Sequence, residues 1–239
     1  MVASSRMVRW LRSLASARVP GGIAGADSSA VQRETVRVVA FSDGVFAISI
    51  TLLILEIKPP SEDADLLHGL LALWPSYLAY AVTFLFIGQV WVNHHVMFDH
   101  IRAADRVILL LNTLLLMIVA FLPFATSILA GALRSGQGQR TAVVFYGIAF
   151  VVTALTFNAV WHYARRRALL GEGLDKAGAT AIGARFQLAL IWLTIGTALG
   201  ALLPMLGIVV IVAFNAFYWL PIRGEGPRPH PPASELRGD

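Results

Sequence analysis

An aspartate at position 43 stands inside the apolar run RVVAFSDGVFAISITLLILEI, which begins at Arg37. Placing an ionised side chain deep in a hydrophobic helix costs several kcal/mol, roughly 3 on insertion scales, so Asp43 must be paired or hydrated. The candidate partners are Arg37 and Ser42 on the same run, and the polar group Gln89, Asn93, His94 and His95 near the end of a second apolar run. Facing water, an acid and two histidines could relay protons or hold a coupling ion, as in a secondary transporter. Facing one another, the same groups form a structural hydrogen-bond network. A metal centre is not expected, because adjacent helical residues point about 100° apart and metal pairs favour spacings of three or four. Catalysis is not expected either, since neither HExxH nor GxSxG occurs and there is no cysteine.

Farther along the same run, Phe41, Val45, Ile48, Leu52 and Leu55 recur at intervals of four and three and share one helix face. Gly44, Ala47 and Thr51 form a neighbouring stripe of small residues that lets another helix approach closely. Spacing alone leaves two readings open: ordinary packing against neighbours or lipid, and an assembly in which several copies of this helix meet. Glu56 follows the stripe by one residue, and Glu62, Asp63 and Asp65 come next. These acids are either solvated loop charge or a mouth that concentrates cations.

The elements that position these residues are membrane helices. Of 239 residues, 57% are hydrophobic and only 14% charged, against about 25% charged in soluble domains. Apolar runs place six spans: roughly Thr35 to Ile57, Leu70 to Phe98, Arg106 to Ala130, Thr141 to Tyr163, and two helices between Ala181 and Leu220 reversing near Pro204 and Gly207. The runs are continuous rather than alternating, which excludes a transmembrane barrel and predicts an all-α fold. Residues 1–33 read as a disordered basic leader, 34–222 as one six-helix unit and 223–239 as a flexible tail. Sixteen of the 19 Lys and Arg residues fall in the leader, the even-numbered connections and the tail, which puts both termini in the cytoplasm. The net charge of +5 is then a consequence of topology, and no nucleic-acid partner is implied. Trp74, Tyr77, Trp91, Trp161, Tyr163, Tyr218 and Trp219 fall near span ends, where aromatic rings anchor in the headgroup region.

The segment RVVAFSDG matches the RxxxFSDG signature of the transmembrane protein 175 family of potassium channels. Similarity continues through VFAISITLLILEIKPP, WPSYLAYAVTF at Trp74, WVNHHVMF at Trp91 and NTLLLMIVAFLPFAT around Asn112. The chain thus resembles the bacterial members, with one six-helix unit assembling as a homotetramer, where animal members carry two units per chain. The resemblance implies a bacterial inner-membrane channel conducting potassium, with other monovalent cations as further permeants and no cofactor. It implies first helices around the pore, Ile48, Leu52 and Leu55 as its hydrophobic constriction, and Thr51 in support of potassium preference. It further implies that Arg37, Phe41, Ser42, Asp43, Gly44, Asn93, His94 and His95 form the network that tethers the pore helix, with Glu56 at the mouth. The chain has no TVGYG, so the usual carbonyl filter is excluded.

Overall fold

The computed structural model describes residues 28–60, 65–171 and 173–219, with side chains from Thr35 onward. Its elements are α1 (Ser28–Leu52), continued by a 3-10 turn (Leu53–Glu56), then α2 (Leu66–Ala72), α3 (Trp74–His100), α4 (Arg106–Ser135), α5 (Gln139–Arg166), α6 (Lys176–Leu202) and α7 (Pro204–Trp219). The expected all-α fold is present. Among the described residues, five segments are long and apolar enough to cross a membrane: Thr35–Glu56, α3, α4, α5 and α6. At 1.5 Å per residue the 16-residue α7 reaches about 24 Å, short of the ~30 Å hydrocarbon core. The chain is therefore a multi-pass membrane protein.

Two boundaries differ from the sequence expectation, and the reversal between the last two helices falls where Pro204 places it. Ser28–Arg33, assigned above to the leader, are the first turns of α1, because AVQRE contains good helix formers and helix length follows propensity where hydropathy has ended. The rest of the leader and the tail lie outside the described residues. The second span does not begin at Leu70. The chain turns at Leu73, and α3 starts with Pro75 in its first turn, where the missing N–H is no loss. A continuous helix would drive the Pro75 ring into the carbonyl of Leu71. The break between α6 and α7 falls at Leu203, just ahead of Pro204.

α1 packs on α3 and α4, and α5 is the hub, packing on α4, α6 and α7. Sixty-one per cent of the apolar window of α5 is buried, against 22% for α1, which leaves most of the first helix uncovered. Where α6 meets α7 the backbones nearly touch, since a Cβ at Gly207 would fall on the backbone of Gly200. Close approach of small residues is how helices gain contact in lipid, where no hydrophobic force drives them together. Between α4 and α5 the left-handed residues Gly136 (φ 71°) and Gly138 (φ 66°) turn the chain, a conformation glycine enters without steric penalty.

Two of the expected headgroup anchors belong to the interior. Trp161 is fully buried and its indole Nε1 donates to Ala179 O at 3.3 Å. Tyr218 is buried and donates its hydroxyl to Arg185 O at 2.7 Å. Both lie near a helix end, but neighbouring helices cover them there.

Candidate pore helix and its anchor

α1 has two unlike faces. Val38, Ser42, Phe46, Ser49 and Leu53 recur every three to four residues and are all buried against α3 and α4. The other side is bare: Phe41 is 64% exposed, Ile48 60%, Leu52 43% and Leu55 61%. Gly44, Ala47 and Thr51 are exposed beside them, and a Cβ added at Gly44 would meet nothing within 4 Å. Among the described residues of one protomer, Ile48, Leu52 and Leu55 of the sequence-predicted constriction are largely uncovered, while Val45 on the same stripe is half-buried and packs against the core.

The end of that face is not α-helical as the spacing argument assumed. Leu53–Glu56 tighten into a 3-10 turn before Ile57 adopts extended backbone, and Pro59 disfavours a return to helix at Lys58 just beyond it. At 120° per residue Leu55 stays nearly in line with Leu52, where an α-helix would have carried it about 60° aside. The larger rise of the turn stretches the Ile48 to Leu55 distance along the axis to about 12 Å. Glu56, half-buried, sits a third of a turn round from Leu55. Glu62 and Asp63 lie outside the described residues, and Asp65 caps α2 by accepting from Leu67 N at 3.2 Å.

The hydroxyl of Thr51 donates to Ile48 O at 2.9 Å. With its one hydrogen spent on the helix, the exposed oxygen offers only lone pairs, the form in which a hydroxyl can coordinate a cation. Ser49 on the buried side does the same with Val45 O at 2.8 Å.

The inner anchor is a directed chain of hydrogen bonds. Ser42 Oγ donates to Val38 O at 2.8 Å and accepts from Asn112 Nδ2 at 3.0 Å. Asn112 Oδ1 lies 2.9 Å from His94 Nε2, and because its amide nitrogen is already committed to Ser42, its oxygen accepts and His94 Nε2 carries the proton. Ser42, His94 and Asn112 are buried. The imidazole is held between Phe98, stacked at 4.4 Å, and Phe46, edge-on at 5.3 Å. Asp43 bonds elsewhere: its Oδ1 accepts from Trp91 Nε1 at 2.8 Å.

The structure thus brings Ser42 and His94 together and gives Asp43 a partner, but the remaining expected members stand apart. Arg37 is exposed and bonds neither Ser42 nor Asp43. It is six residues from the acid, about 120° away when only the net rotation is counted. Phe41 and Gly44 lie on the bare face. His95 is exposed, turned away from His94 by the 100° step, with its ring 6.3 Å from Trp91. Gln89 and Asn93 line a cavity among α3, α5, α6 and α7, on a different side of α3 from the anchor. Asn112 and Trp91 carry the anchor and were not assigned to it from sequence. The signal for Asn112 was available, since it is a lone amide in the apolar stretch RVILLLNTLLLMIV. Trp91 had none beyond being an indole donor. Directed bonds of this kind hold helices in place in a membrane interior.

Residues 37–123 match the family described as the endosomal/lysosomal potassium channel TMEM175. A potassium channel of Streptomyces collinus is 46% identical over 170 residues, covering 69% of this chain and 82% of that one. One of Chamaesiphon minutus is 45% identical over 161 residues, covering 65% and 79%. The crystal structure of a lysosomal potassium-selective channel TMEM175 homolog from Chamaesiphon minutus superposes with a TM-score of 0.71 at 38% identity, over 78% of this chain and 97% of that one. The aligned stretches are longer than the motif-bearing region from Arg37 to Thr126, so the likeness extends beyond the first three spans. Identity at this level, over four fifths of a relative's length, places the chain in the TMEM175 channel family.

Proposed function

We propose that the chain is a potassium-permeable channel that conducts passively down the electrochemical gradient, four copies enclosing one pore in the cell membrane of a bacterium. The relatives it resembles are potassium channels. The observation that carries the reading on this chain is the bare face of α1, where Ile48, Leu52 and Leu55 stay uncovered while the opposite stripe is buried and hydrogen-bonded. Rotated about a four-fold axis, these residues make three stacked apolar rings spread over about 12 Å, long enough to interrupt a water column. In this assembly Thr51 lends its lone pairs to a partly dehydrated cation beside the rings, and Glu56 raises the cation concentration at the outer mouth. Gly44 and Ala47 let neighbouring first helices come close. With α7 as a sixth crossing, both termini lie in the cytoplasm, as the distribution of Lys and Arg favours.

The test is potassium flux in liposomes reconstituted with purified protein, driven by a potassium gradient with the pH clamped equal on both sides. Ile48→Asn puts an amide in the first ring and should wet the constriction, raising flux about tenfold or more if dewetting contributes a barrier of about 1.4 kcal/mol per decade. Unchanged flux in a variant that still elutes as the parent assembly would remove Ile48 from the gate. Flux that stops without a proton gradient would identify coupled transport instead.

A further inference from the structure

α3 is polar on two sides. One side carries the anchor, through Trp91 and His94. The other lines a cavity of about 40 Å³ enclosed by α3, α5, α6 and α7, whose polar walls are Gln89, Asn93, Thr153, Asn158 and Tyr218. Aromatic rings, among them Phe86 and Phe186, make up much of the rest.

The hydrogen-bonding state of these walls narrows what can fill the space. Thr153 donates to Ala149 O at 2.8 Å, Asn158 Nδ2 donates to Ala154 O and Phe186 O at 2.9 Å each, and Tyr218 donates to Arg185 O at 2.7 Å. Their hydrogens are committed to backbone carbonyls, and what they have left is acceptor capacity. Gln89 is 8% exposed, and its Oε1 has no hydrogen-bond partner in the protein. A buried amide oxygen in a membrane interior is paired somewhere, because lipid offers nothing to bond. The guest must therefore donate hydrogens to these oxygens, and it can accept from the amide groups of Gln89 and Asn93. It must also be small: a water needs about 10–15 Å³ of such space, so the cavity admits about three, while a site that seats benzene measures about 150 Å³.

We infer that this cavity is an internal hydration site, in which about three water molecules donate to Gln89 Oε1 and to the spent-donor oxygens of Thr153, Asn158 and Tyr218. Every protomer carries one. It lies on the far side of α3 from the pore-helix anchor, so α3 is held by directed bonds on both sides: protein groups toward α1 and α4, water toward α5, α6 and α7.

The test is radiolytic footprinting of the full-length protein in lipid nanodiscs, read by mass spectrometry. Radicals formed from a bound water oxidise the side chains next to it. The cavity residues Phe186 and Tyr218, 6% and 9% exposed, should be oxidised at least fivefold faster than Phe98, which is 3% exposed and is not among the cavity's lining residues. Gln89→Leu should bring the two groups within twofold and should lower Tm or leave it unchanged. Oxidation of Phe186 and Tyr218 at the reference rate in the parent protein would overturn the proposal, and that readout stands even if the variant does not fold. A rise in Tm for Gln89→Leu would also overturn it, since removing a truly unpaired oxygen from a dry cavity stabilises. So would anomalous density in the cavity after a thallium soak, which would make the occupant a monovalent cation.

Discussion

Asn112→Leu tests what seats the pore helix. Leucine has the branched shape of asparagine and a larger volume, so the substitution removes two hydrogen bonds without leaving a void. The two losses differ. Ser42 keeps its own donation to Val38 O, so only an acceptor lone pair is left over, worth about 0.6 kcal/mol by the average for side-chain bonds in a membrane interior. His94 has no such reserve. Its Nδ1 is already without a partner and the residue is 0% exposed, so losing Asn112 leaves a fully buried imidazole with no bond at all, at about 1–3 kcal/mol. The expected destabilisation is about 2–3 kcal/mol, and Ser42→Ala, which leaves the buried Asn112 amide N–H without its acceptor, should cost about 1–3 kcal/mol. Combining Asn112→Leu with His94→Leu removes the stranded ring together with its lost partner, and should recover at least about 1 kcal/mol relative to the sum of the single variants. Reversible unfolding in mixed micelles, titrated with a denaturing detergent, measures all four proteins. If Asn112→Leu lies within about 0.5 kcal/mol of the parent, or the two single effects simply add, the directed chain is not what holds α1.

Asp43→Ala deletes the acceptor of Trp91 Nε1 on a partly exposed edge of the protomer. It should shift the size-exclusion profile from the proposed tetramer toward monomer while leaving the potassium-to-sodium preference of the residual assembly unchanged; an intact assembly with altered preference would assign Asp43 to the permeation path instead. Gly207→Ala places a methyl on the backbone of Gly200, so α6 and α7 must separate, and a thermal unfolding scan in detergent should show a loss of about 1–3 kcal/mol. No shift in that scan would mean the pair tolerates separation.

The spans were legible because hydropathy is a local property that twenty residues announce together. α4 and α5 begin within two residues of where the apolar runs place them, and both end a few residues beyond. The anchor was legible only in part. Ser42, Asp43 and His94 stand out as polar residues in apolar surroundings, but their pairings join residues 18, 48 and 70 positions apart, and no local pattern encodes which donor meets which acceptor. Gln89, Asn93, His94 and His95 looked like one cluster because they are close in sequence. Helical rotation divides them: Gln89 and Asn93, four apart, share the side facing α5, α6 and α7, while His94 and His95 are each turned a further 100°. The 3-10 end of the first span was hidden because Leu53, Ile54 and Leu55 suit either helix, and Pro59, which disfavours a return to helix at Lys58, stands beyond its last residue.

The placement of the anchor bears on why it is polar. In lipid a helix with aliphatic residues all round has no hydrophobic reason to prefer one rotation about its axis, yet the proposed gate needs a particular one. A one-residue rotation of α1 would replace Ile48 at the narrowest ring with Ala47 or Ser49, widening it in one case and wetting it in the other. Ser42 and Asp43 prevent this together. Being adjacent they point about 100° apart, and they are bonded to different helices, Ser42 to α4 through Asn112 and Asp43 to α3 through Trp91. Two directed bonds at two azimuths fix a rotation that one bond, or any amount of aliphatic packing, would leave adjustable. The FSDG segment does not touch the permeating ion in this scheme. It sets the angle at which Ile48, Leu52 and Leu55, beginning a turn and a half farther along the same helix, face the axis.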